Sequence, residues 1–171
     1  MKKGHDIRNV VQQINNDVKS KKDYIVTLNA LEVTTSNNTY PNLEFTDAPD
    51  QYSLTDHSMN QLCGKLEIGT QYLRKCLPVS QELVAHNLNF WIKNTKSKEL
   101  MVRTIERDSD ELPNIARAVC SNRYKRIDND VVVTHSLNKL MDLGLDIKYV
   151  NYDRDTLNIT AVNPKVEGEV S

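Results

Sequence analysis

The sequence is short of the residue patterns on which most catalysis is built. It has three cysteines, Cys63, Cys76 and Cys120, standing far apart with no CxxC spacing. Each sits in an apolar context, and the three read as reduced, buried, small hydrophobes. The odd count fits a compartment where disulfides are rare. His5, His57, His86 and His135 show neither HxH nor HExxH spacing, so no metal site is expected. No glycine-rich phosphate loop is present, which argues against an NTPase. Ser121 lacks a nucleophile-elbow setting, and Cys120 lacks an evident base. Asp108, Asp110 and Glu111 read as a solvated acidic turn rather than a magnesium site. These absences point to a protein that is not an enzyme and carries no cofactor.

Long apolar runs are missing as well. Nothing approaches the roughly 18 residues of a membrane span, and the opening "MKKGHDIRNVV" lacks the apolar core of a secretory signal. A cytoplasmic protein without a membrane partner is the expectation. The 171 residues carry a formal net charge of −1, so no global field draws the chain onto nucleic acid. Any basic site must be local. There is no internal repeat or low-complexity tract, and residues 1–171 read as a single domain.

What is present is a succession of short periodic segments. Ile7, Val10, Val11, Ile14 and Val18 recur at helical spacing behind Asp6, a good N-cap. "YIVTLNALEV" (24–33) has strand composition, with Tyr24, Val26, Leu28 and Ala30 on one face. "LEF" (43–45) pairs back as a short strand, and "DAPDQ" reads as a polar loop. Thr55 then caps a helix, with Leu54 and Met59 placed as a hydrophobic staple. After the Ile68-Gly69 turn, Thr70 is the expected cap of a short helix. Ser80 is the expected cap of a third, with Leu83, Val84, Leu88, Trp91 and Ile92 facing inward. The result is a three-helix block over 55–94.

Beyond it, "ELMVRTI" and "IARAVC" read as two strands around an acidic loop. Val131, Val132, His135, Leu137, Leu140 and Met141 suggest a helix stopped by Gly144. "LDIKYVNY" and "TLNITAV" form a last strand pair, and 164–171 is read as a loose tail. The fold class is therefore α+β: a small, mostly antiparallel sheet, an N-terminal helix and a central three-helix block.

Two stretches suggest binding. "QLCGKLEIGTQYLRKC" (61–76) has the rhythm of a helix-turn-helix, whose outward side chains would include Gln71, Arg74 and Lys75. Its weakness is that Glu67 occupies the position usually held by glycine, and the glycine comes two residues later. The alternative is two packed helices whose basic pair completes a C-terminus. The second stretch is stronger. Residues 91–126 hold nine Lys/Arg against five Asp/Glu, a net of +4, so the remainder carries −5. Arg103, Arg117, Arg123, Lys125 and Arg126, with Tyr124 for base stacking, are the candidate nucleic-acid residues. Against this, Arg117 and Arg123 could serve a loop by pairing with Asp128 or Asp130.

The ordered string "SLTDHSMNQLCGKLEIGTQYL", "NLNFWI", "LMVRTI" and "ARAVCSNRYKRIDN" resembles the phage and plasmid family built around domain of unknown function 932. The match runs over about residues 24 to 165, and its last block is the most specific. It includes Thr55, Gln61, Tyr72, Asn89, Trp91 and Arg103, then Arg117, Ser121, Arg123, Tyr124, Asp128 and Asn129. Ser58, Gly69 and Cys120 depart from the family's alanine, proline and leucine. Longer members continue into a further Gly-Asp … Asn-Ser-Glu region, so the likeness is to their N-terminal part. The resemblance implies a bacterial host cytoplasm and the DNA traffic of mobile elements, without a settled activity. The expectation is a non-enzymatic DNA-metabolism accessory that binds nucleic acid, single strands included, with a second copy of itself among its partners. The alternative is a module that docks on a host defence protein.

Overall fold

The computed structural model describes residues 7–106, 114–125, 127–152 and 156–165. In chain order the elements are α1 (Ile7–Lys19), β1 (Lys21–Thr27), a 3₁₀ turn (Leu28–Ala30), β2 (Leu31–Thr34), β3 (Asn42–Phe45) and β4 (Ala48–Leu54). They continue with α2 (Asp56–Leu66), α3 (Thr70–Cys76), α4 (Gln81–Asn94), β5 (Glu99–Ile105), β6 (Ile115–Ser121), α5 (Asn129–Asp142), β7 (Asp146–Tyr152) and β8 (Leu157–Val162). The fold is α+β and its sheets are mostly antiparallel. The chain, read from its sequence as one domain, divides into two compact units: residues 20–124, and residues 1–19 with 125–171. No helix among the described residues is long and apolar enough to cross a membrane.

The unit of residues 20–124 is a six-stranded sheet in the order β1-β5-β6-β4-β3-β2. Every pairing is antiparallel except β4 with β6. Its curvature follows from chain length. Strands β1 and β2 lie at opposite edges, which a flat sheet would hold about 24 Å apart. From Thr27 to Leu31 the chain spans at most about 14 Å. The sheet must therefore curl until its edges meet at the 3₁₀ turn, where Leu28 N donates to Lys98 O (2.9 Å) and Thr46 N to Ala30 O (3.0 Å). This is why the strand expected over 24–33 breaks in two. A second difference is β4, a strand where the sequence suggested a polar loop. It meets β6 only at Ser53 and Leu54, so its first half, with Pro49, needs no ladder donor toward β6.

Inside the curl, Tyr24, Phe45 and Tyr52 pack ring to ring at 5.0, 5.5 and 6.1 Å. The helices close the core through Met59, Leu62, Leu66, Leu73, Val84, Leu88 and Ile92. Thr55 forms the expected cap of α2: its hydroxyl accepts from Ser58 N (3.1 Å), and Ser58 Oγ accepts from Thr55 N (2.8 Å). Ser80 caps α4 by accepting from Leu83 N (3.2 Å). Thr70, by contrast, is the first helical residue of α3 behind Gly69, and its hydroxyl donates to Asn60 (2.9 Å). The inward face of α4 is Val84, Ala85, Leu88 and Ile92; Leu83 and Trp91 point outward, each 41% exposed. Asn89 decides this rotation. Its amide accepts from Val33 N and donates to Val33 O, both at 2.8 Å, so α4 occupies the free edge of β2 as a strand would.

The other unit joins α1, α5 and the antiparallel hairpin β7–β8. Its buried core is Val10, Ile14, Val133, Val150 and Tyr152, and Tyr152 donates to Asp17 (2.7 Å). Gly144 has φ 68°, the left-handed geometry expected at the end of α5. The inward residues of α5 are Val133 and Leu137, whereas Val131, Val132 and Met141 are exposed. The expected Asp6 cap lies outside the described residues, as do 107–113 of the acidic loop and most of the 164–171 tail.

Candidate functional site

Among the described candidate residues of the unit 20–124, Arg103 and Arg117 are engaged within the fold, whereas Arg123 and Tyr124 are exposed. Arg103 sits on β5 directly opposite Asp23 of β1. Its Nε donates to Asp23 Oδ1 at 2.8 Å and Nη2 to Oδ2 at 3.0 Å. With the side chains 13% and 8% exposed, this is a nearly buried bidentate pair. A desolvated guanidinium needs such a partner, and Arg103 is thereby removed from the candidate surface. Arg117 falls where the β5–β6 register skips a residue between Ala116 and Ala118; it is half-buried and already engaged. Arg126 lies outside the described residues. Lys125 is exposed and begins the other unit.

Arg123 and Tyr124 are both exposed. Strand β6 ends at Ser121, whose carbonyl accepts from Tyr124 N (2.9 Å) and whose hydroxyl accepts from Arg123 N (3.3 Å). This tight turn leaves Arg123 exposed and the Tyr124 ring 55% exposed.

The helix-turn-helix alternative resolves toward packing. Leu73 and Cys76 of α3 are buried. Arg74 donates to both carboxylate oxygens of Asp56 (2.9 and 2.7 Å), which ties α3 to the first turn of α2. Gln71 and Lys75 remain exposed. The turn between the helices is made by Glu67, at φ 60°, so the chain does place a left-handed residue where helix-turn-helix proteins put glycine.

Tertiary pairing brings together residues that sequence reasoning missed. Leu100 is the register partner of Ser121, and Asn122 donates to Glu99 (2.8 Å). The α4–β5 loop, residues 95–98, therefore lies beside the turn of residues 122–124. Lys96, which is exposed, and Lys98, half-buried, join Arg123 and Tyr124 at one end of the sheet. Helix α2 runs along β6, with Gln61 accepting from Val119 N (2.8 Å) and donating to Cys120 Sγ (3.8 Å). One turn on, Lys65 comes close enough to Cys120 for its charge to act on the thiol. Burial still dominates there and raises the Cys120 pKa, as it pushes Cys63 up to about 11. Both thiols stay protonated and inert. Glu99, which accepts from Asn122, is an acid of this turn, and the Asp23 charge also acts on the Cys120 thiol. The available signal was the +4 balance of residues 91–126, which includes Lys96 and Lys98.

A second polar cluster is structural. The Tyr24 and Tyr52 hydroxyls each lie 3.3 Å from Glu106 Oε1 and 3.2 Å from one another, three contacts shared by two donated protons, and Lys22 Nζ meets Glu106 Oε2 at 2.6 Å. The Lys22 ammonium holds the Glu106 carboxyl below its usual range, and burial drives the Tyr52 phenol far up. Tyr52 is fully buried, so the phenol end of the cluster is closed, while the Lys22–Glu106 pair reaches the surface. Among the described residues, no three of His, Cys, Asp and Glu come together to hold a metal.

No family model, curated protein or solved structure matches the chain.

Proposed function

We propose that the protein binds nucleic acid, single strands in preference to duplexes, at the sheet end formed by residues 95–98 and 122–124. The observation that carries this reading is the pairing of Leu100 with Ser121, which sets Lys96, Lys98 and Arg123 around an exposed tyrosine. Cations neutralise phosphates and an open aromatic ring takes an unpaired base. The resemblance to a phage and plasmid family adds a setting, that of an accessory in DNA metabolism inside a bacterial host cell. No part of the proposal requires catalysis.

The test is a fluorescence anisotropy titration of labelled single- and double-stranded oligonucleotides at several salt concentrations. Three neutralised phosphates give a log–log salt slope of about −2 on single strands. Tyr124→Ala lowers single-strand affinity by about 1–3 kcal/mol, the usual worth of one stacked base. Joint reversal of Lys96 and Arg123 to Glu abolishes binding, whereas Lys75→Glu on α3 leaves it intact. Absence of binding at about 50 mM salt overturns the proposal. What then remains is the module that docks on a host protein, which the near-neutral net charge favours.

A further inference from the structure

Helix α4 is apolar on two sides, and the core uses one of them. At 100° per residue, Val84, Ala85, Leu88 and Ile92 cover the buried face. Leu83, Asn87, Phe90 and Asn94 fall on another stripe, spaced four, three and four residues apart, the seam spacing of packed helix pairs. Leu83 and Phe90 are 41% and 52% exposed. Trp91 flanks the stripe at 41% exposure, with its ring edge-on to Phe90 at 5.4 Å. Asn87 and Asn94 do not project freely: each amide donates to the carbonyl four residues back, at 2.7 Å. They lie low on the helix and leave the stripe accessible to a close neighbour.

We infer that this stripe is a self-association surface, on which α4 of a second copy of the chain docks antiparallel. Charge placement selects the occupant. Glu82 and Lys93, both exposed, lie on the same flank of the stripe, about 17 Å apart along the axis. In an antiparallel pair related by a twofold axis, residues on one flank meet their own flank in reverse order. Glu82 of each copy therefore meets Lys93 of the other, with Leu83 opposite Phe90 and Asn87 near the axis. In a parallel twofold pair the flank that carries Glu82 and Lys93 would face the partner's other flank, and the two charges would not meet. Four turns of one helix bury an area at the small end of specific interfaces, which begin near about 1,000 Å², so the dimer is weak and depends on concentration. None of these residues belongs to the proposed nucleic-acid site.

Sedimentation velocity of the full chain over a wide concentration series tests the inference. A reversible monomer–dimer equilibrium is expected. Phe90→Asp weakens it by at least about tenfold, as loss of a central aromatic anchor does. Glu82→Lys and Lys93→Glu each weaken it, and the double swap restores it to within about threefold of the parent, because the swapped flank is again self-complementary. All these side chains are exposed, so thermal unfolding followed by circular dichroism should be unchanged and serves as the folding control. A chain that stays monomeric throughout overturns the inference. So does self-association indifferent to Phe90→Asp, or a double swap that fails to restore what the single reversals lose.

Discussion

Helices α4 and α5 are both 14 residues long, yet α4 buries four side chains and α5 buries one. The difference runs through the two units that contain them. In residues 20–124 a curled sheet closes around an aromatic cluster and is sealed by three helices. Their side chains Gln61, Gln81 and Asn89 also satisfy backbone groups of the sheet and its loops. The other unit lays two helices on one hairpin around five buried residues. A two-stranded sheet contributes little stability of its own, and local stability follows buried apolar contact. The larger unit is therefore expected to be the more stable of the two, which suits a scaffold that presents a binding turn at its strand ends.

The sharpest way to break that ranking is through the pair that the deep unit buries. Asp23→Ala removes the bidentate acceptor of Arg103 and is expected to cost about 3–5 kcal/mol in urea denaturation. Replacing both partners with apolar residues should cost much less. Next, Ile14→Ala in the smaller unit should cost about 3 kcal/mol. Native-state hydrogen exchange should show that loss in α1, α5 and the β7–β8 hairpin, while amides of β5 and β6 keep their protection. Equal loss in both units would mean that they unfold as one, and the contrast between them would carry no consequence.

Smaller effects sharpen the comparison within residues 20–124. Glu67 is the one non-glycine residue with positive φ among those described, and left-handed geometry is strained for a residue with a Cβ. Glu67→Gly should therefore stabilise the unit by about 1 kcal/mol, read from a shifted denaturation midpoint at constant slope. Acid titration gives the last effect. The folded Glu106 carboxyl titrates below its unfolded value because Lys22 stabilises the anion. Its contribution is fully present above the ordinary carboxylate range and is lost as pH falls through the depressed value. Glu106→Gln should flatten the acid limb of the stability profile and leave Tyr152 and Asp17 in the other unit unaffected.

The local signals were read well where chemistry between near neighbours decides the outcome. The caps at Thr55 and Ser80, the glycine stop at Gly144 and the turn of the final hairpin depend on residues a few positions apart. Errors arose where a distant partner overrode a local pattern. The run 24–33 has strand composition throughout, but the sheet's own closure bends it at Leu28. Residues 47–51 read as a loop, yet most of them join β4 because β3 supplies a ladder. Leu83 and Trp91 are apolar at helical spacing, yet Asn89 turns them away from the core by bonding to Val33. On the candidate surface, the sequence singled out Arg123 and Tyr124, which are exposed. It also chose Arg103, whose fate depends on Asp23, eighty residues earlier.

By itself, then, the sequence determined the helices, the helix boundaries set by capping at Thr55 and Ser80, and the basic balance of the stretch from Trp91 to Arg126, because each is a property of composition or of neighbours along the chain. Tertiary structure decided which cations stand together. Strand pairing between Leu100 and Ser121 brings the loop of Lys96 beside the turn of Arg123 across twenty-odd residues of sequence, and the β1–β5 ladder, by setting Asp23 against Arg103, withdraws one of the candidate arginines. Register is a long-range quantity, fixed by how a whole sheet closes, and no short stretch of residues contains it.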